Sequence, residues 1–177
     1  MTAFMRRFLN RSQSESLFMK ISILCVGKVK EKFYREAIGE YLKRLSRYCR
    51  VEILETADEM TPEGAGAALE EQIRKREGER LLSRIRDEAF VVTLEIKGKK
   101  MDSPEFSRVL EQAAVRGKSH IQFVIGGSLG LHESVSARAD LKLSFSDMTF
   151  PHQLMRVILC EQIYRGYRIM NGEPYHK

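Results

Sequence analysis

The sequence predicts an α/β fold, a parallel sheet flanked by helices, and three observations point there. From Met19 onward, short β-branched apolar runs alternate with longer segments of helical periodicity. Glycine- and lysine-rich breakers separate them. At 177 residues and 43% hydrophobic content, the chain is long enough for one compact domain with a core.

Taken in order, the run Met19-Lys20-Ile21-Ser22-Ile23-Leu24-Cys25-Val26 predicts a strand over 21–26, and Gly27-Lys28 ends it. A helix is expected over 32–45, a second strand over 51–55 and, after Thr61-Pro62-Glu63-Gly64, a helix over 65–85. That helix alternates Glu70-Glu71 with Arg74-Lys75-Arg76, a solvated face with supporting ion pairs rather than an RNA-binding site. A strand over 90–95 stops at Lys97-Gly98-Lys99-Lys100, and a helix over 104–115 stops at Arg116-Gly117-Lys118. Strands over 121–125 and 141–145 bracket room for one short helix in 130–139. A final helix runs over 151–167, with Pro151 suited to its first turn because a proline lacks the N–H that would go unpaired there.

Residues 1–18 stand apart. They carry Arg6, Arg7 and Arg11, scattered serines and one acid, Glu15. A transit-type leader fits the arginines, but a continuous apolar stretch like that of a secretory signal is missing. The expectation is an upstream start or unstructured arm, with a single domain over 19–177.

Thirty Lys plus Arg against 24 Asp plus Glu gives a net charge of +6, which favours a polyanionic partner without requiring one. Cys25, Cys49 and Cys160 are odd in number and widely spaced, so reduced thiols are expected, with no disulfide framework and no metal site. The apolar runs fall well short of the roughly 18–20 residues a membrane span needs. A soluble cytoplasmic protein follows as the expectation.

Four stretches are candidates for chemistry. In Phe123-Val124-Ile125-Gly126-Gly127-Ser128-Leu129-Gly130 a buried strand empties into a glycine-rich turn. Glycines there either let backbone approach a ligand or simply make a tight turn. No Gly-Lys-Ser/Thr follows, so it is not a P-loop. Asp147 falls near where a dinucleotide's ribose-binding acid would lie, but the glycine spacing is not G-x-G-x-x-G, which disfavours a nicotinamide enzyme. The second stretch, Leu143-Ser144-Phe145-Ser146-Asp147-Met148-Thr149-Phe150, is either a ligand loop with apolar and polar groups or an ordinary strand–helix connection. The third, from Pro151 to Arg165, is apolar nearly all round, the mark of a helix buried in a core or a subunit interface. His152 and Arg156 share one face of it at i and i+4. Last, Tyr175-His176-Lys177 ends the chain with groups that stack on bases and neutralise phosphates.

Together, the start MKISILCVGKVKEKFY, the strand VVTLEIKGK, the turn FVIGGSLGLH, the run LSFSDMTFPHQLMRVILCEQIYR and the ending PYHK resemble the ribosomal RNA large subunit methyltransferase H family. That family belongs to the SPOUT class. The resemblance spans Met19 to Lys177 and implies a C-terminal trefoil knot, although threaded chains are nearly absent from proteins and periodicity alone predicts an open sheet. It implies an S-adenosylmethionine-dependent methyltransferase that acts as a homodimer on N3 of a pseudouridine in 23S rRNA of the assembled ribosome. Cofactor-binding positions carried over by motif are Leu94, Gly126, Phe145, Ser146, Asp147, Met148, Thr149 and Phe150. Relatives tend to carry Lys where this chain has Asp147, so backbone and apolar contacts rather than that side chain are expected to matter.

Methylating the base needs its N3–H removed or its anion stabilised. His152 or His176 is the candidate base, Arg156 or a C-terminal cation the candidate stabiliser. Arg156, Tyr175, His176 and Lys177 are the candidate RNA contacts. A non-catalytic ribosome- or RNA-binding module is the competing reading.

Overall fold

The computed structural model describes residues 19–175. The expected arm over 1–18 and the candidates His176 and Lys177 lie outside the described residues. The elements in chain order are β1 (Lys20–Val26), α1 (Lys32–Leu45), β2 (Arg50–Thr56), α2 (Ala67–Leu82), β3 (Phe90–Lys100), α3 (Ser103–Val115), β4 (His120–Ile125), α4 (Glu133–Arg138), β5 (Leu141–Ser144) and α5 (His152–Met170). The five strands form one sheet in the order β2-β1-β4-β3-β5, and every pairing is parallel.

Burial follows the two-residue period of a strand. Ile21, Ile23, Cys25, Ile121, Phe123 and Ile125 face one side, where they join Phe106, Leu110, Leu159, Cys160 and Ile163 of α3 and α5. Leu24, Val26, Val91 and Val124 face the other, against Leu81 of α2 and Val135 of α4. Being covered on both faces is why β1 and β4 read as nearly unbroken apolar runs.

The helices start and stop for identifiable reasons. α3 opens with a capping box: Asp102 accepts from Glu105 N at 2.7 Å, and the Glu105 carboxylate accepts from Asp102 N at 3.0 Å. α2 is shorter than the expected 65–85 because Gly66 is its N-cap and the chain turns after Ser83. α5 continues past 167 to Met170.

β3 departs most from expectation. The breaker Lys97-Gly98-Lys99-Lys100 does not end the strand. Leu94 and Lys99 both pair with Leu143, so residues 95–98 bulge out and the strand returns to the ladder. A Cβ on Gly98 would lie 2.7–2.8 Å from backbone atoms of Lys142 and Leu143, so the bulge can close against β5 only with glycine there.

Candidate active site

The carboxyl ends of β3, β4 and β5 open onto one cleft, which is where ligands bind in parallel α/β sheets. β3 supplies Leu94, the last residue before its bulge, with Glu95 and Ile96 of the bulge, and the turn after β4 supplies Gly126, Gly127, Ser128 and Gly130. The connection from β5 to α5 supplies Phe145, Ser146, Met148, Thr149 and Phe150, and α5 itself adds His152 and Met155. The cavity measures about 180 Å³. A larger cleft of about 410 Å³ lies beyond the shared wall of Leu143 and Phe145, lined by the start of α3 and by Gln162. We take the smaller as the site, because it collects the loops that follow three adjacent parallel strands.

The glycine turn is held by its own backbone. Gly127 and Gly130 form an antiparallel bridge, Gly130 N donates to Gly127 O at 3.1 Å, and Gly130 has φ +82°. A Cβ on Gly126 would lie 2.7 Å from the Gly130 carbonyl carbon and 3.1 Å from Leu131 Cδ2. Gly126 is therefore required by the turn's internal packing, and the closest obstacle to a side chain there is protein backbone. Any ligand role comes through the backbone that the tight turn presents.

The β5–α5 loop is braced locally: Met148 N donates to Ser146 Oγ at 2.9 Å, and Ser144 Oγ donates to the Ser146 carbonyl at 3.1 Å. Asp147 points out of the loop and pairs with Lys100 of β3, both side chains well exposed. It does not line the cavity, unlike the other five of the six loop residues expected to touch cofactor. Its partner is a lysine of the returning β3 strand.

His152 borders the cavity, and its imidazole is held below the ordinary histidine value, first by burial and then by the Arg156 charge, with Lys30 adding and Asp58 opposing. The ring is therefore predominantly neutral near pH 7.

Arg156 is fully buried. Its guanidinium donates to Glu55 at 2.8 Å, to the Val26 carbonyl at 2.9 Å and to the Gly27 carbonyl at 2.8 Å. This corrects the expectation that Arg156 faces RNA or a reacting base. A cation with no exposed surface and three protein acceptors is a positioning group that ties α5 to the ends of β1 and β2. Glu55 also accepts from Val29 N at 3.0 Å, so one carboxylate holds both the arginine and the β1–α1 loop.

Tyr175 does not approach the cavity of its own chain. Its ring lies edge-on to Tyr164 at 5.0 Å, with the guanidiniums of Arg165 and Arg168 at 4.8 and 5.8 Å from its centroid. Tyr164 is twelve residues along α5 from His152, about 18 Å at 1.5 Å per helical residue.

Sequence reading missed Glu95, Ile96, Met155 and the Glu55 partnership. Met155 sits at i+3 from His152, a spacing that could have flagged it. Glu95 and Ile96 become neighbours of the cavity only because β3 bulges.

A parallel α/β sheet that opens at three neighbouring strand ends into a cleft of loop backbone, apolar walls and a histidine places the protein among α/β folds with a candidate small-molecule site at the strand ends. The family model described as "Predicted SPOUT methyltransferase" matches residues 19–176. The chain is 58% identical to Ribosomal RNA large subunit methyltransferase H of Bifidobacterium adolescentis over 159 residues, 90% of this chain and 100% of that one. Over the same shares, it is 57% identical to the protein of that name from Clostridium botulinum and 54% to that of Clostridium acetobutylicum. The chain belongs to the SPOUT methyltransferases, within the group of ribosomal RNA large subunit methyltransferase H proteins. It is a methyltransferase. Among the described residues, no helix is long and apolar enough to cross a membrane.

Proposed function

We propose that this protein transfers the methyl group of S-adenosylmethionine to N3 of a pseudouridine in 23S rRNA, on the assembled ribosome, in the cytoplasm and as a homodimer. The observation that carries the reading is the cleft itself. Residues singled out in three separate stretches, Leu94, Gly126 and five of the six residues from Phe145 to Phe150, line one cavity.

The residues fit the cofactor's chemistry. Leu94, Phe145 and Met155 offer apolar faces for an adenine ring, and the backbone of the glycine turn and the hydroxyls of Ser146 and Thr149 offer polar contacts. When bound, the cofactor supplies an electrophilic methyl on a good leaving group. The chain's own task is then to align the base, exclude water and manage one proton.

His152 suits the proton role: it borders the cavity and is held neutral, the form that accepts a proton. Arg156 acts through structure, fixing the helix on which His152 stands. Tyr175, with the two residues after it, is assigned to RNA, and the roughly 18 Å along α5 favours its serving the partner subunit's site over its own.

The test is methyl transfer from labelled S-adenosylmethionine to intact ribosomes, compared with free rRNA. Label on 23S rRNA of ribosomes, mapped to N3 of one pseudouridine, is the expected result. Cofactor binding without transfer to either substrate favours a non-catalytic ribosome-binding module.

A further inference from the structure

We propose that the corner between β1 and α1, residues 28–35, is an RNA-docking platform on which Phe33 stacks an unpaired base of the substrate while the surrounding cations meet its phosphates. The proposal rests on the reading of the protein as an rRNA methyltransferase and names a second contact for that substrate.

Phe33 is the aromatic among the exposed large apolar side chains of the described residues, at 59% accessible. Its ring lies 4.2 Å from that of Tyr34, at 55°, and forms a ledge whose solvent-facing ring is Phe33, Tyr34 being half-buried. Placing such a side chain in water gains nothing for folding, since the α1 residues buried in the core are Ile38 and Leu45. Lys28, Lys30, Lys32 and Arg35 are all exposed in the same stretch, which also carries Glu31 and Glu36, the latter paired with Lys32 at 3.5 Å. Aromatic rings interleaved with cations are the chemistry that binds single-stranded nucleic acid, through stacking on any base and through phosphate neutralisation.

The corner is rigid and tied to the cleft. Gln153 Oε1 accepts from Lys30 N at 2.8 Å and from Glu31 N at 3.4 Å, and Gln153 is the neighbour of His152 on α5. Arg35 Nη1 donates to the Val29 and Lys30 carbonyls at 3.1 and 2.6 Å. Arg156 holds the Val26 and Gly27 carbonyls just before it. A ledge so fixed beside the pocket can hold a flanking nucleotide while the target base occupies the cleft.

The test uses the full chain with intact ribosomes and labelled S-adenosylmethionine. Phe33→Leu keeps the apolar bulk but removes the π-face. It is expected to lower kcat/KM for ribosomes at least fivefold, the low end of about 1–3 kcal/mol for base–aromatic stacking, while Phe33→Trp retains activity. Affinity for S-adenosylmethionine by calorimetry and the sedimentation coefficient are expected to match the unaltered chain. Replacing Lys28 and Lys30 by Ala is expected to flatten the salt dependence of kcat/KM by roughly 0.7–0.9 log units per log unit of salt for each phosphate no longer neutralised. Unchanged kcat/KM in Phe33→Leu overturns the platform, and a shift to a smaller species shows that the ledge is covered by a second copy of the chain instead. Failure of the unaltered chain to methylate ribosomes is seen separately, in the control, and overturns the parent reading together with this one.

Discussion

Ser22 has one hydroxyl proton and gives it to Glu52 at 2.7 Å, so the contact with His120 Nε2, also 2.7 Å, requires the ring to donate. Neutral imidazole can do this from Nε2, and burial, followed by the Lys20 charge, holds His120 below the ordinary value of 6.5, with Glu52 opposing. A depressed folded-state value means that the unfolded chain takes the proton first as pH falls. The contribution of His120 to stability is therefore complete above about pH 6.5 and declines below it until the folded value is reached. Urea unfolding of His120→Gln between pH 5 and 8 should show a shallower loss of stability below pH 6.5 than the unaltered chain, with the share of His152, likewise depressed, retained. An identical pH profile would remove His120 from the linkage. Neither this network nor the tight packing around Gly126 was legible in the sequence. Ser22 and His120 meet across 98 residues, and the obstacle beside Gly126 is the backbone of a turn whose closure only coordinates display.

α5 combines two roles that its apolar pattern did not separate. Leu159, Cys160 and Ile163 anchor it in the core, while Arg156 and Gln153 fasten its first turns to the loop after β1. Removing one partner of a buried ion pair leaves the other's polar groups uncompensated. Arg156→Met is expected to cost about 3 kcal/mol, the low end for such changes because Glu55 keeps some access to water. Glu55→Gln retains a carbonyl acceptor but leaves the fully buried guanidinium without its counter-charge, and should cost a similar amount, about 3 kcal/mol. Denaturant unfolding of the two variants measures both, and equal stability of Arg156→Met and the unaltered chain would show that the arginine does not brace the corner. Strand and helix positions were otherwise legible, because apolar periodicity reports which face each segment buries. β3 was the exception: the lysines and glycine that read as a turn belong to a bulge, and only pairing with β5 brings the chain back.

For the whole molecule, the separation of Tyr175 from the cleft bears on how an active site is assembled. Tyr175 is packed on Tyr164, Arg165 and Arg168, toward the far end of α5 from His152. Deletion of Tyr175, His176 and Lys177 should leave S-adenosylmethionine affinity within about twofold, since Tyr175 packs on Tyr164, about 14 Å along α5 from Met155 of the cleft, yet reduce methyl transfer to ribosomes by on the order of a hundredfold. Mixed with a chain whose cleft is filled by Thr149→Trp, the deletion chain should regain activity on re-association, because in the proposed homodimer one of two composite sites would then be complete. Full turnover in the deletion chain would end the tail's catalytic role. Inactivity without recovery on mixing would place the tail in its own subunit's site.

By itself the sequence determined the α/β class, the positions of nearly all strands and helices, the family and the stretches that line the cleft. Local periodicity, turn chemistry and contiguous motifs carry that information. Only the tertiary structure decided that Arg156 is buried under Glu55 rather than offered to a substrate, that Asp147 turns out toward Lys100, and that Tyr175 packs far from its own cleft. Each of these depends on which distant segment the folded chain brings against a side chain, and a residue's type and neighbours in sequence do not specify that partner.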